Sequence, residues 1–268
     1  MRNRLLLVAL PALEAIVVWL QKSRTETSGP RYDGRSVKYW VQKYTRHPRR
    51  DTPSGGFGAH DPVLQRVLEI GTNAIPLLLL ELDYESLISD GFLRIATLGI
   101  RDFGQNDIRI NAEMAVKEIG GRSLPLLLSE LNASDGRMRK GAASVLHLFH
   151  KDDVEVIPAL IRALQDAEFR VRGHDADSLG RIGLDAKPAV TPLLAWLKAD
   201  PSFVTLLVVS GAVRKIDPQN QELRAILMEL AEANEIGGLG PAEIRFLNQH
   251  ASRILAEIKR GPIRPASQ

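Results

Sequence analysis

The sequence predicts an all-α protein, built as an α-solenoid of antiparallel helix pairs that stack into a superhelix. Two observations predict this class. The chain has 268 residues, of which 44% are hydrophobic but only 5% aromatic, and an aliphatic composition of this kind suits stacked helices better than strands. Similar segments also recur at a nearly fixed period, which is the signature of helical repeats.

The first helix of each repeat is marked by a proline followed by leucines. Pro125, Pro158 and Pro192 are spaced by 33 and 34 residues. Proline costs little near a helix N-terminus, and leucines at i, i+3 and i+4 supply a buried stripe. The matching segments are AIPLLLLEL, SLPLLLSEL, VIPALIRAL and AVTPLLAWL, which end at Leu82, Leu131, Leu164 and Leu197.

The second helix of each repeat carries an apolar residue and an arginine near its start. It is expected to end at a glycine, where a left-handed cap forms easily, as in the Ile-Gly pairs at 70–71, 119–120 and 182–183. A final helix is predicted to begin at Pro241 and to end before Gly261. The apolar-arginine pairs are Ile108-Arg109, Met138-Arg139 and Val171-Arg172.

Two of these segments, DIRINAEMAVKEIG and FRVRGHDADSLGRIG, resemble the HEAT repeat family, in particular its short bacterial version, the phycobilisome-lyase HEAT-like repeat. The resemblance covers about residues 60–217 and implies a superhelix of the armadillo type. It implies small residues where neighbouring helices touch, and Ala112, Ala115, Ala142 and Ala143 fit that pattern. The motif is informative about fold rather than about function.

One spacing departs from the period. Pro76 and Pro125 are 49 residues apart, so the region near 83–106 holds additional chain. We expect either an inserted helix and loop, which in solenoids often maps to the binding face, or a degenerate extra repeat.

An apolar run, Leu5–Leu20, lies near the N-terminus between basic flanks and contains Glu14 as its one charge. This layout is typical of a signal sequence or signal anchor. A retained membrane anchor is favoured over a cleaved peptide, and a buried first helix is the third alternative, because the run is shorter than the roughly 20 residues of a spanning helix. We expect the body on the exported side, although basic residues after the run favour the cytoplasm.

Four regions follow from these patterns: an anchor or signal segment at 1–24, a tether at 25–59, a solenoid at 60–262 and a tail at 263–268. The tether includes a short capping helix at 36–46, with Ser36 as its cap and an apolar face for the first repeat. A basic loop follows, whose Arg46, Arg49 and Arg50 either are solvated or touch anionic lipid head groups.

The charge distribution bounds the function. Residues 1–50 carry eleven basic and three acidic residues, while the remainder has a net charge of −5. A nucleic-acid-binding solenoid is expected to carry positive charge on the solenoid itself, so nucleic acid is an improbable partner. The absence of cysteine excludes disulfides, thiolate metal sites and cysteine nucleophiles.

No residue pattern predicts catalytic, cofactor-binding or metal-binding residues. The tightest histidine cluster is His147-x-x-His150 with Asp152 and Asp153, but a helix C-terminus favours histidine through the helix dipole without any metal. Phosphate-loop and nucleophile-elbow sequences are absent. Trp196 falls on a leucine stripe and is expected in the core.

A candidate interaction patch stands out because it departs from the repeat pattern, and such departures can mark functional sites. The alternative is a solvated network in which the arginines pair with the acids. The six residues are Arg170, Arg172, His174, Asp175, Asp177 and Arg181.

The favoured function is a non-catalytic scaffold for a protein or peptide partner, held at a membrane through residues 5–20. Two alternatives remain. The resemblance to lyase-type repeats implies a phycobilin lyase or an enzyme subunit of that type, and other HEAT-like proteins bind DNA as repair glycosylases.

Overall fold

A computed structural model describes residues 31–46, 61–82, 105–151 and 153–260. The apolar run at 5–20, residues 83–104 and the tail lie outside the described residues. Within these ranges almost every element is a helix, and the helices share one hydrophobic core. The all-α solenoid predicted from the sequence is therefore confirmed.

Twelve α-helices, four short 3-10 helices and one hairpin with two residues in each strand make up the regular structure of the described residues. The strands β1 (Arg31–Tyr32) and β2 (Arg35–Ser36) are antiparallel. The helices, in chain order, are α1 (Val37–Thr45), α2 (Pro62–Ile70), α3 (Ile75–Leu82), α4 (Gln105–Ile119), α5 (Leu124–Glu130), α6 (Gly136–Leu146), α7 (Val156–Ala163), α8 (Phe169–Ile182), α9 (Val190–Ala199), α10 (Phe203–Ile216), α11 (Gln221–Glu232) and α12 (Pro241–Arg260).

Local sequence explains where the helices begin and end. The expected capping helix runs over Val37–Thr45, and the Ser36 hydroxyl accepts a hydrogen bond from Tyr39 N. Asp61 caps α2 and Asp135 caps α6 in the same way. Glycines with positive φ follow the helices that end in Ile-Gly, as predicted: Gly71 at 61°, Gly120 at 77° and Gly183 at 76°.

The helix pairs α5/α6, α7/α8 and α9/α10 form a regular row. Within it, α8 packs between α6 and α10. On one side the Ser178 hydroxyl donates to the Ala143 carbonyl of α6. On the other side Gly180 lies so close to α10 that a Cβ would be 3.0 Å from Ala212 Cα. The repeat that contains α8 thus uses a different contact with each of its two neighbours.

A charged joint ties two repeats of this row together. The Arg139 guanidinium of α6 donates to both carboxylate oxygens of Asp166, at 2.6 and 3.1 Å, and to Glu168 at 2.8 Å. It also donates to the carbonyls of Ala133 and Ser134 in its own turn. Arg139 and Asp166 are only 14% and 11% exposed, so the bidentate pair is shielded from water.

The N-terminal helices α1–α4 pack as a separate cluster on the end of this row. Helix α4 contacts α1, α2 and α3, and the Asn111 amide of α4 donates to the Thr45 carbonyl at the end of α1, at 3.0 Å. It is α3 that lies beside α6. The approach is close because Gly141 has no side chain: a Cβ there would be 2.7 Å from the Leu79 carbonyl oxygen.

The C-terminal helix begins at Pro241, as predicted, and packs on α10 and α11. Helix α11 was not predicted, because the proline-leucine pattern does not reach it. Its apolar residues do recur at helical spacing, and Leu223, Ile226, Leu227 and Leu230 are all buried.

One helical stretch among the described residues, Pro62–Leu82, is long and apolar enough to cross a membrane. It comprises α2, α3 and the turn between them, and it supplies Val67 and Leu78 to the core. Packing in the core accounts for its composition, so this stretch is weak support for a membrane span.

Candidate interaction surface on helix α8

The six candidate residues all lie on α8, but the helix divides them between two faces. Four of them recur at i, i+4, i+7 and i+11 and therefore share one face. We call this set the α8 ridge: Arg170, His174, Asp177 and Arg181. His174 is partly buried and the other three are exposed. The remaining two, Arg172 and Asp175, lie on the side of the helix that packs against the protein.

The α8 ridge is connected to three neighbouring helices by polar contacts. The His174 Nδ1 atom lies 2.9 Å from the Ser144 hydroxyl of α6. Asp177 accepts from Lys215 of α10 at 3.0 Å, and Arg181 donates to Glu113 of α4, also at 3.0 Å. The ridge thus joins elements that are far apart in sequence and presents both signs of charge.

Glu113 is the centre of a small charge cluster. Its Oε1 atom contacts Arg181 and lies 3.4 Å from His147 Nε2, while its Oε2 atom lies 3.7 Å from Arg109. Burial alone would raise the pKa of Glu113. The hydrogen bond with His147 and the charges of Arg181 and Arg109 outweigh the effect of burial, so the pKa lies below its ordinary value.

Arg172 links α8 to the next repeat and does not share the exposed face of the ridge. Its guanidinium donates to the Asp166 carbonyl at 2.7 Å and lies 5.2 Å from the centre of the Trp196 ring. Phe169 meets the same indole edge to face. Trp196 is 9% exposed and lies in the core, as predicted, where the aromatic and cationic groups stabilise the contact between α8 and α9.

Asp175 is fully buried. Neither of its carboxylate oxygens has a hydrogen-bond partner among the described residues. Burial raises the pKa of Asp175 well above its ordinary value, and the nearby charge of Asp166 acts in the same direction. Counting back the 33 residues of the repeat places Ala142 at the equivalent position of α6. A carboxyl group therefore occupies a place that suits a methyl group.

The two histidines of the candidate metal cluster point to different neighbours. His147 contacts Glu113, whereas His150 Nε2 lies 3.5 Å from Asp185 in the turn after α8. Asp152 lies outside the described residues. Among the residues that the structure describes, no group of three or more histidine, aspartate or glutamate side chains is arranged to hold a metal ion.

Ser144 and His174 have the atoms of a nucleophile and a base, but their geometry does not favour that chemistry. The Ser144 hydroxyl also lies 2.9 Å from the Lys140 carbonyl, its partner one turn back in α6. A helical serine typically donates to this carbonyl, which assigns the donor role in the other contact to the imidazole. The residues around Ser144 are helical, so their backbone N–H groups are engaged and cannot stabilise an oxyanion.

Sequence reasoning missed the neighbours of the ridge, namely Glu113, Ser144 and Lys215. Ser144 and Lys215 lie outside the two segments that resemble HEAT repeats, and Glu113, although it lies within the first of them, is 68 residues from Arg181. Their proximity depends on how the N-terminal cluster, α1–α4, packs against the row of repeats. The repeat pattern does not encode this packing.

A comparison of the sequence with known protein families supports the interpretation of α5–α10 as a row of repeats. Residues 124–213 match the family model of HEAT repeats. This segment runs from α5 into α10 and contains the whole α8 ridge. It is about a third of the chain, and the matched model describes HEAT repeats in general, so the phycobilisome-lyase subtype stays a prediction. The chain matches none of the curated proteins.

Proposed function

We propose that the protein is a non-catalytic scaffold that binds a protein or peptide partner at the α8 ridge and is presented from a membrane by residues 5–20. HEAT repeats generally mediate protein interactions. The observation that carries the proposal is the placement of the ridge: charged side chains from one helix of the HEAT-matching segment are exposed along a continuous face.

The ridge is suited to partner exchange because its ion pairs are weak. Asp177 and Lys215 are 57% and 52% exposed, and exposed pairs contribute little to stability. Their charges can be redirected to a partner at small cost to the fold. The surface is also open at Gly173 and Gly211. Apart from the backbone of its own helix, no described atom lies within 4 Å of a Cβ placed at either glycine.

Charge reversal tests the ridge. The double variant Arg170→Glu and Asp177→Lys inverts two exposed charges without changing the net charge. The full chain is cross-linked in membranes, purified and compared with a matched control, Glu229→Lys and Arg253→Glu, on exposed positions of α11 and α12. We expect the ridge variant to lose cross-linked partners that the wild type and the control retain. Equal recovery from all three proteins contradicts the proposal.

The membrane part is tested separately by topology. The chain has no cysteine, so a single Leu184→Cys substitution, at a side chain that is 74% exposed, provides a unique label site. We expect the chain to resist carbonate extraction and the cysteine to react with an impermeant maleimide added to the extracytoplasmic side. A fully soluble chain contradicts anchoring, and labelling only after lysis places the body in the cytoplasm.

A further inference from the structure

The outer face of α1 is basic and aromatic. Arg35, Tyr39, Lys43 and Arg46 recur at i, i+4, i+8 and i+11 along the helix and the residues that flank it, and all four are exposed. We call this set the α1 face. The opposite side of the helix is buried through Val37, Val41 and Tyr44. The helix is thus held on the body by one side and offers the other side to a partner.

Cations and aromatic rings are interleaved on the α1 face. The Arg35 guanidinium lies 5.1 Å from the centre of the Tyr39 ring, and the Lys43 ammonium lies 5.3 Å from the Trp40 ring. Tyr39 is 39% exposed. The indole N–H of Trp40 donates to the Tyr32 carbonyl, which fixes the ring beside the face. Tyrosine and tryptophan next to basic residues are typical of surfaces that lie at the level of lipid head groups.

The charge of this region contrasts with that of the body. Residues 31–46 include five basic residues and a single acid, Asp33, which pairs with Arg66 at 2.6 Å. Arg46 lies 3.7 Å from Glu81 and is 50% exposed. By comparison, residues 51–268 have a net charge of −5. Three of the five basic residues, Arg35, Lys43 and Arg46, lie on the α1 face, so this face is complementary to an anionic surface.

We propose that the α1 face docks on the anionic phospholipid head groups of the membrane that holds the chain. The inference rests on the membrane presentation proposed above. Ten residues separate Leu20 from Arg31, and a chain extends at most about 3.4 Å per residue. The α1 face is thus tethered within about 35 Å of the end of the apolar segment. Docking would fix the orientation of the HEAT repeats relative to the bilayer.

A fluorophore beside the α1 face tests the docking in the full chain. Gln42→Cys gives a unique label site next to the face, and an environment-sensitive dye is attached there. The protein is reconstituted in nanodiscs of neutral phosphatidylcholine, or of phosphatidylcholine with about a third phosphatidylglycerol. We expect a blue-shifted emission, quenched by lipid-borne nitroxide, in the anionic discs only, and its reversal by high salt, because salt screens charges at the surface.

The charges themselves are tested with a triple variant, Arg35→Gln, Lys43→Gln and Arg46→Gln. Each basic residue near an anionic surface contributes about fivefold to binding, so the docking equilibrium should fall on the order of a hundredfold. The matched control removes three exposed arginines elsewhere, at Arg137, Arg162 and Arg253, and should leave the emission shift unchanged. Thermal melts of both variants check that the fold is intact.

The outcomes separate docking from anchoring. A chain that enters neutral discs but shows no lipid-dependent shift overturns the docking proposal and leaves anchoring intact. A chain that stays out of neutral discs yet binds anionic discs through the α1 face overturns anchoring and supports docking. An equal loss of the shift in the triple variant and its control overturns docking. Docking is also overturned if the triple variant keeps its lipid response but is no longer retained on duplex DNA, because the α1 face then binds nucleic acid.

Discussion

The regular row and the N-terminal cluster of this protein solve the same packing problem in different ways. From α5 to α10, each second helix lies beside the second helix of the next repeat. At the end of the row, α6 instead lies beside α3, which carries the proline-leucine sequence of a first helix. The departure occurs at the long spacing between Pro76 and Pro125.

A repeated sequence pattern therefore specifies where helices form more firmly than it specifies which helices pack together. A leucine stripe specifies which side of a helix is buried, but several partners can bury it. Contacts outside the leucine stripe, such as those at Arg139 and Gly141, decide which partner is used. Substitutions at these positions should therefore separate the two regions experimentally.

The largest effect is expected inside the regular row, at Arg139. Substitution of Arg139 by Met leaves Asp166 shielded and without its bidentate donor, at a cost of about 2–3 kcal/mol in the free energy of unfolding. Denaturant titration followed by circular dichroism measures the loss. The control is Arg137→Met, which removes an exposed pair with Asp135 on the same helix and should change stability little. Equal losses would show that the Arg139 joint is unimportant.

The junction between the two regions is tested at Gly141. A methyl group there meets the backbone of Leu79, which cannot rotate away, so Gly141→Ala should destabilise the protein by about 1–3 kcal/mol. Gly211→Ala in α10 is the matched control, because no described atom lies within 4 Å of its Cβ and helix propensity then favours alanine by about 1 kcal/mol. A gain in stability for both variants would contradict the close contact between Gly141 and Leu79.

Asp175 is the weak point of the regular row, and its effect depends on pH. Its pKa is raised in the folded state, so its ionisation costs no folding free energy below the ordinary aspartate pKa, where the folded and unfolded states are both protonated. The cost grows as the pH rises and is complete above the raised pKa. Asp175→Asn should therefore stabilise the protein by about 1–2 kcal/mol at neutral pH and not in acid. Thermal melts from pH 3 to pH 8 measure this, with exposed Asp177→Asn as the control.

Glu113 links the two regions and should have the smallest effect. Its pKa is lowered in the folded state, so its contribution is present above the ordinary glutamate pKa and is lost as the pH falls through the lowered value. We expect Glu113→Gln to cost about 1 kcal/mol at neutral pH and the difference from wild type to vanish in acid. A difference that persists in acid would indicate a packing effect unrelated to the charge.

Much of the fold could be predicted from the sequence, because helices leave local signals. The prolines near helix starts and the leucine stripes placed α3, α5, α7 and α9, and the Ile-Gly pairs placed the ends of α2, α4 and α8. Helix α11 was not predicted although its apolar spacing is regular, because it lacks the proline-leucine signature of the repeats. The position of α3 beside α6 had no local signal at all.

The candidate surface could be predicted only in part. Departure from the repeat pattern located α8, yet it could not tell which face each side chain occupies without the helix phase set by Ser178 and Gly180. Asp175 and Asp177 look equivalent in the sequence, but one is buried and the other exposed. Contacts such as Glu113 with Arg181 depend on tertiary packing between distant segments.

The glycines at the helix joints bear on how such an array can change during evolution. Gly141 is the close contact in α6, whereas in α8 the close contact is at Gly180, nearly two turns further along when the repeats are aligned. The repeats that contain α6 and α8 are therefore each shaped to the neighbour they have. Duplicating or deleting one repeat would bring together surfaces that do not fit, so the length of this solenoid is constrained even though its units look interchangeable.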